Sequence, residues 1–212
     1  GAGRTDAGVH AAGQVAHVDL PGPIPVAALT RGLNASLAGD IRVRAATLAA
    51  PDFHARRDAV AKRYVYRLRW RSRSLPWLDL RCAELPPPRD LEGFLAALQV
   101  FPGRHDMASF TVPDPGPPTL RTLDRVECDR RPSGLDVHFV GPGFLRYQVR
   151  RMVGAALEVG SARRDLSWLV GLLRHPCPGA PIRTAPARGL TLERVYYRAP
   201  RPGVGRVLDS AP

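Results

Sequence analysis

The first fifteen residues, Gly1 to Val15, constrain this chain more than any other stretch. They set Gly1, Gly3 and Gly8 around Arg4, Asp6 and His10. Glycines at these positions let the backbone take positive φ or approach a neighbour closely. The segment therefore reads as a tight loop. Arg4 and Asp6 stand two apart, which in an extended stretch puts both on one face. A nearby guanidinium keeps a carboxylate ionised. An ionised and positioned Asp can serve as a nucleophile or a base. The plainer role of a loop Asp is an Asx-turn or a helix cap.

The order of residues narrows that choice. Arg4-Thr5-Asp6-Ala7-Gly8-Val9-His10-Ala11, followed by Gln14-Val15, resembles the signature loop of the TruA family of tRNA pseudouridine synthases. Further segments are similar to that family in the same order. They are Asn34 to Ile41, Asp52 to Arg56, the Tyr64-Val65-Tyr66 pair, Gly103 to Phe110, Gly143 to Gly154, and Ala185 to Leu192. Three positions depart from it: Arg57 and Met107 replace usual aromatics, and Arg151 stands where the family has Asn.

The resemblance implies a set of roles. Asp6 is the catalytic nucleophile. Arg150 is expected within salt-bridge reach of Asp6, as a bidentate partner that keeps it ionised and oriented. Tyr64 is expected to pack on the flipped target uridine and to help remove its C5 proton. Leu190 is expected to line the pocket near that base. Arg4 holds the loop or a phosphate. The implied fold is α+β, with two ferredoxin-like halves whose antiparallel sheets flank a basic active-site cleft. The halves divide as residues 1–54, carrying the Asp loop, and residues 55–212. The family would place a strand and a helix before Gly1, so the chain is expected to lack them. The implied reaction isomerises uridine to pseudouridine at positions 38 to 40 of the tRNA anticodon stem-loop. The implied enzyme is a cytoplasmic homodimer without cofactor or metal. The alternative is a catalytically inactive RNA-binding fragment of such an enzyme. A dinucleotide-binding reading of Gly1-x-Gly3 fails because Asp6 occupies the third glycine position.

The other residues agree with an RNA substrate. Net charge is +12 and the pI about 11.0, with Lys62 as the one lysine. Arginine offers a planar fork of donors suited to phosphate. Compositional bias accounts for Arg in place of Lys, but not for the excess of basic over acidic residues. Cys82, Cys128 and Cys177 form no C-x-x-C pair, so neither a zinc site nor a disulfide framework is expected. No apolar run is long enough for a membrane span, and no signal peptide is evident.

Periodicity places the elements. Gln14–Leu20 and Ile41–Ala45 alternate like strands, with a helix between them carried by Val26, Leu29, Leu33 and Leu37. Lys62 to Trp70 is a strand with Tyr64, Tyr66, Leu68 and Trp70 on one face and Val65, Arg67, Arg69 and Arg71 on the other. An aromatic and a basic face suit stacking on bases and binding of phosphate. An ordinary half-buried strand explains Tyr66, Leu68 and Trp70 as well. Ser72 to Pro88 reads as a connection, Leu91 to Leu98 as a helix, and Pro113 to Pro118 as a stiff loop. Leu123–Arg130 and Leu135–Val140 read as two antiparallel strands. A helix over Leu145–Gly160 buries Val149, Met152, Val153 and Ala156 and puts Arg146 and Arg150 one turn apart. A short helix follows at Leu166 to Leu173, then a strand through Val195, and a loose tail from Pro200.

If the positive charge serves RNA phosphates, tRNA affinity should fall at least about tenfold between 50 and 200 mM salt. A filter-binding titration that stays flat over that range would assign the charge to composition alone.

Overall fold

A computed structural model of the chain describes residues 1–71, 80–113 and 118–198. Residues 72–79 of the connection expected over 72–88, residues 114–117 of the loop expected over 113–118, and the tail from Pro200 lie outside the described residues. The fold is α+β. Its strands are β1 (His10–Ala11), β2 (Ala59–Trp70), β3 (Ala83–Leu85), β4 (Gly103–Asp106), β5 (Leu120–Leu123), β6 (Arg125–Arg131), β7 (Gly134–Gly141) and β8 (Leu190–Tyr197). Its helices are α1 (Val26–Ser36), α2 (Leu91–Leu98), α3 (Gln148–Gly160) and α4 (Leu166–Arg174).

The larger sheet has six strands, five in the order β1-β8-β2-β7-β6 and β3 paired to β2 off that path. β2 is its spine. β7 runs antiparallel along one edge of β2, with Tyr64 opposite Phe139 and Leu68 opposite Leu135. β8 runs antiparallel along the other edge over Ala59 to Tyr66, and the short parallel β3 takes over at Leu68. β1 joins parallel to β8, with His10 opposite Thr191. β4 and β5 form a separate antiparallel pair.

One face of the spine makes the core. Tyr66, Leu68, Val137, Phe139 and Leu192 are buried there with Met152, Val153 and Ala156 of α3 and Phe94 and Leu98 of α2. Burial of each large side chain stabilises the fold by about 1.5–3 kcal/mol. α2 and α4 begin at Asp90 and Asp165, whose side chains accept from the backbone N–H of Gly93 and Trp168, both at 2.8 Å. These caps satisfy donors that a helix start leaves unpaired.

The opposite face carries the arginines of β2, and there the structure corrects the phosphate-binding expectation. Arg63 Nε lies 2.8 Å from Glu193 on β8. Arg67 donates to the Thr191 hydroxyl at 3.1 Å, and Arg69 to Asp136 on β7 at 2.8 Å. Asp136 also accepts from Arg131 at 2.9 Å. Burial alone would raise the Asp136 pKa, but those two guanidiniums hold it below the usual carboxylate range. These arginines are cross-strand partners of acids that sequence periodicity does not reveal.

Two expected strands are absent. Gln14–Leu20 has no ladder, and Val18 is 66% exposed. Alternation supplies a strand only where an edge is available to pair with. Ile41–Ala45 is also irregular, because its backbone is met by a side chain. The Asn34 amide donates to Val43 O at 2.9 Å, and Val43 N–H donates to Asn34 Oδ1 at 2.8 Å. That carboxamide mimics a strand partner and ties the segment to α1, which buries none of its own residues. The single strand expected over Leu123–Arg130 divides at Asp124 into β5 and β6. The connection before Pro88 contains β3. The long helix starts at Gln148, so Arg146 precedes it instead of lying one turn before Arg150 on its face.

Arg151 is a buried member of the fold. It is 8% exposed and donates to the carbonyls of Ala180 at 2.6 Å, Ser109 at 3.1 Å and Ile182 at 3.4 Å. Leu at this position would leave those carbonyls short of donors, at a cost of about 1–3 kcal/mol. Arg151→Leu is thus expected to lower the urea midpoint. An unchanged midpoint would show that the cost of burying the charge cancels its hydrogen bonds.

Candidate active site

The loop that carries Asp6 is a tight turn. Val9 N–H donates to Asp6 O at 3.0 Å. Gly8, third in that turn, has φ +78°, the conformation for which glycine is preferred. The turn feeds directly into β1, so the β1–β8 pairing fixes its exit. Its entry is held by Ala2 N–H donating to Val15 O at 2.7 Å, and by the Lys62 ammonium donating to Ala2 O at 2.8 Å. Burial and the nearby charge of Arg56 lower the Lys62 pKa.

Arg150 reaches this turn from α3. Its Nη1 donates to Asp6 Oδ2 at 3.1 Å. The two side chains are 14% and 21% exposed, so the pair is desolvated yet remains accessible. The expected bidentate grip is not what forms. The fork is divided, because Arg150 Nε donates to Ala185 O at 2.8 Å. Ala185 N–H in turn donates to Arg150 O at 3.1 Å. Helix and segment come this close because position 154 is glycine: a Cβ there would lie 1.8 Å from Arg183 O. The guanidinium is therefore aimed by the backbone of residues 183–185.

Tyr64 completes the cluster from β2. It is 8% exposed, and its ring meets Phe144 edge-on at 5.2 Å between centroids. Burial first, and then the Asp6 charge, push its phenol up to about 12. It stays protonated through neutral pH. Tyr66, on the same face, donates to Pro186 O at 2.8 Å, and burial raises its pKa further.

The loop, the helix and the strand thus converge on one carboxylate from widely separated parts of the chain. A family model described as tRNA pseudouridine synthase matches residues 97–198. The chain is 43% identical over 203 residues to the tRNA pseudouridine synthase A of Limosilactobacillus fermentum, covering 94% of this chain and 79% of that protein. It is 40% identical to that of Frankia casuarinae, covering 92% and 72%, and 40% identical to that of Thermus thermophilus, covering 92% and 79%. The chain belongs to the TruA family of tRNA pseudouridine synthases.

Placed in that family, the remaining positions sort by geometry. Leu190 is buried at the start of β8, opposite Tyr66 on β2. Arg4 is exposed and makes no ion pair among the described residues. Arg151 faces the core and not Asp6, so its substitution for the usual Asn leaves the Arg150–Asp6 contact intact. Three contributors escaped the sequence reading. The Ala185 carbonyl has no sequence signal at all. Lys62 had one, as the lone lysine of an arginine-rich chain. Tyr147 had the spacing: three residues before Arg150, it lies with its ring centroid 4.9 Å from that guanidinium.

The raised tyrosines set a pH dependence. The folded state holds these protons more tightly than the unfolded one. Their stabilisation is complete below the unfolded pKa, near 10, and is lost as pH rises toward 12. Folding stability is expected to drop by about 2 kcal/mol or more between pH 10 and 12, and Tyr64→Phe should shrink that drop. Urea denaturation at pH 9 and 11.5 checks this. An equal drop in the Phe variant would remove Tyr64 from the account.

Proposed function

We infer that this chain isomerises uridine to pseudouridine in the anticodon stem-loop of tRNA, at positions 38 to 40. The observation that carries the reading is the 3.1 Å contact between Arg150 and Asp6, which assembles the family's catalytic pair from residues 144 apart. Asp6 is the nucleophile. Arg150 pairs with it at 3.1 Å and limits its rotation. The reaction breaks the N1–C1′ bond, turns the base and joins C1′ to C5. The C5 proton leaves to solvent and N1 gains one, so no oxidant, reductant or cofactor is consumed.

Tyr64 supplies an apolar wall for the flipped base. A phenol protonated at neutral pH does not accept the C5 proton without first giving up its own. The packing role is therefore the one its environment supports. Leu190, buried beside Tyr66, backs that wall. Arg4, exposed on the loop, is free to meet a phosphate. Flipping a base out of a stem costs a few kcal/mol, which phosphate contacts by exposed arginines help offset. The family resemblance supports a homodimer acting on tRNA in the cytoplasm. Among the described residues no helix is long and apolar enough to cross a membrane.

Asp6→Asn is expected to abolish pseudouridine formation while tRNA affinity stays within threefold of wild type. Arg150→Lys should also be slow, since one ammonium cannot reach Asp6 and Ala185 O with the same planar fork. Tritium release from C5-labelled tRNA reads both. Asn-variant turnover at a tenth of wild type or better, a barrier change of only about 1.4 kcal/mol, would remove Asp6 as nucleophile.

A further inference from the structure

Tyr147 holds a backbone conformation that its side chain disfavours. Its φ is 61° and ψ 0°, the left-handed region, in which a bulky residue is an outlier. A glycine or asparagine would sit there without that penalty. The surrounding turn enforces the conformation from both sides. Leu145 N–H donates to the Gln148 side chain at 2.8 Å, and Gln148 N–H returns to Leu145 O at 3.2 Å. The Thr111 hydroxyl donates to Arg146 O at 3.0 Å, and Arg151 N–H to Tyr147 O at 2.9 Å. Gln148 is buried, so this scaffold is rigid. Strain over-determined in this way collects at ligand-contacting positions.

The ring that the strain presents is half-buried and lies one guanidinium from the nucleophile. Arg150, whose Nη1 holds Asp6, has its Cζ 4.9 Å from the ring centroid. The Arg146 Cζ is 5.0 Å from the same centroid. The ring is not a member of the apolar core cluster, which takes Val149, Met152 and Val153 from the same helix. An aromatic ring flanked by guanidiniums, beside a carboxylate that must meet a nucleotide, has the composition of a base-stacking platform.

We propose that Tyr147 is a substrate-contacting residue, its ring stacking on a nucleobase of the RNA held next to the Asp6–Arg150 pair. The proposal rests on the RNA-modifying reading given above. It assigns the strained turn at 145–148 the task of presenting that ring. The phenolic hydroxyl is not the element required; the π face is.

The test is equilibrium binding of tRNA in the Asp6→Asn background, where chemistry does not intervene. Adding Tyr147→Leu is expected to weaken binding about tenfold, and adding Tyr147→Phe to leave it within threefold. Adding Tyr147→Asn, which suits the left-handed backbone, should raise or preserve the melting temperature while weakening binding as Leu does. That split excludes misfolding as the cause. If the Leu and Asn variants bind within threefold of the parent, the ring serves only to steady Arg150 and the proposal is overturned. Equal weakening by Phe and Leu would overturn it too, by assigning the contact to the hydroxyl. If the Asp6→Asn parent binds tRNA but wild type forms no pseudouridine, the catalytic reading fails and the Tyr147 comparison still stands. Absence of tRNA binding by wild type sinks both.

Discussion

The Arg150–Asp6 ion pair is the contact on which the site depends, and its worth lies in orientation more than in stability. At 3.1 Å its attraction is roughly 4–5 kcal/mol in an environment of intermediate dielectric. Desolvating the two ions costs several kcal/mol each. The attraction therefore does no more than offset that cost. What remains is directional, since Arg150 Nε is pinned to Ala185 O and Nη1 is thereby aimed at the carboxylate. The fold supplies the rest: β1 paired to β8 fixes the loop, and apolar burial of Met152, Val153 and Ala156 fixes α3. A pair that contributes little net stability is held in register by elements that contribute a great deal.

The pairing of Arg150 with Asp6 was legible through the family resemblance, which rests on contiguous motifs. The Arg4–Ala11 loop is contiguous, and its chemistry is local. The helix bearing Arg150 has an apolar period that fixes which residues face inward. The fold class was implied by the family resemblance, and the helix and strand periods agree with it. What escaped depends on neighbours distant in sequence. Gln14–Leu20 and Ile41–Ala45 alternate as strands do, but alternation reports two faces and says nothing of a hydrogen-bonding edge. The first finds no ladder, and the second is taken by the Asn34 carboxamide. The division of the Arg150 fork was equally hidden, because its partner is a backbone carbonyl that any residue could supply.

The basic face of β2 shows how charge can mislead. Alternating arginines on a strand resemble a phosphate-binding surface. Glu193 and Asp136 sit across the strand from them, and the guanidiniums are drawn into the sheet. Pairing of this kind leaves the net charge untouched. The surplus of +12 must therefore be carried elsewhere on the surface. It is found on exposed residues such as Arg4, Arg56, Arg57, Arg104 and Arg188.

One residue type thus fills several distinct positions, and burial separates them. Arg151, deep in the core, spends its donors on three backbone carbonyls and stiffens the segment from 180 to 182. Its neighbour Arg150, half-buried, divides its donors between the next stretch of that segment and the Asp6 carboxylate. Arg146, exposed at the strained turn, lies against Tyr147. Lysine could not fill this series: a single ammonium cannot brace a carbonyl and aim at a carboxylate through one rigid plane. A chain with one lysine and an abundance of arginine can build its core, its carboxylate partner and its exposed positive surface from the same planar donor. Compositional bias toward arginine then becomes a resource that the fold sorts by depth.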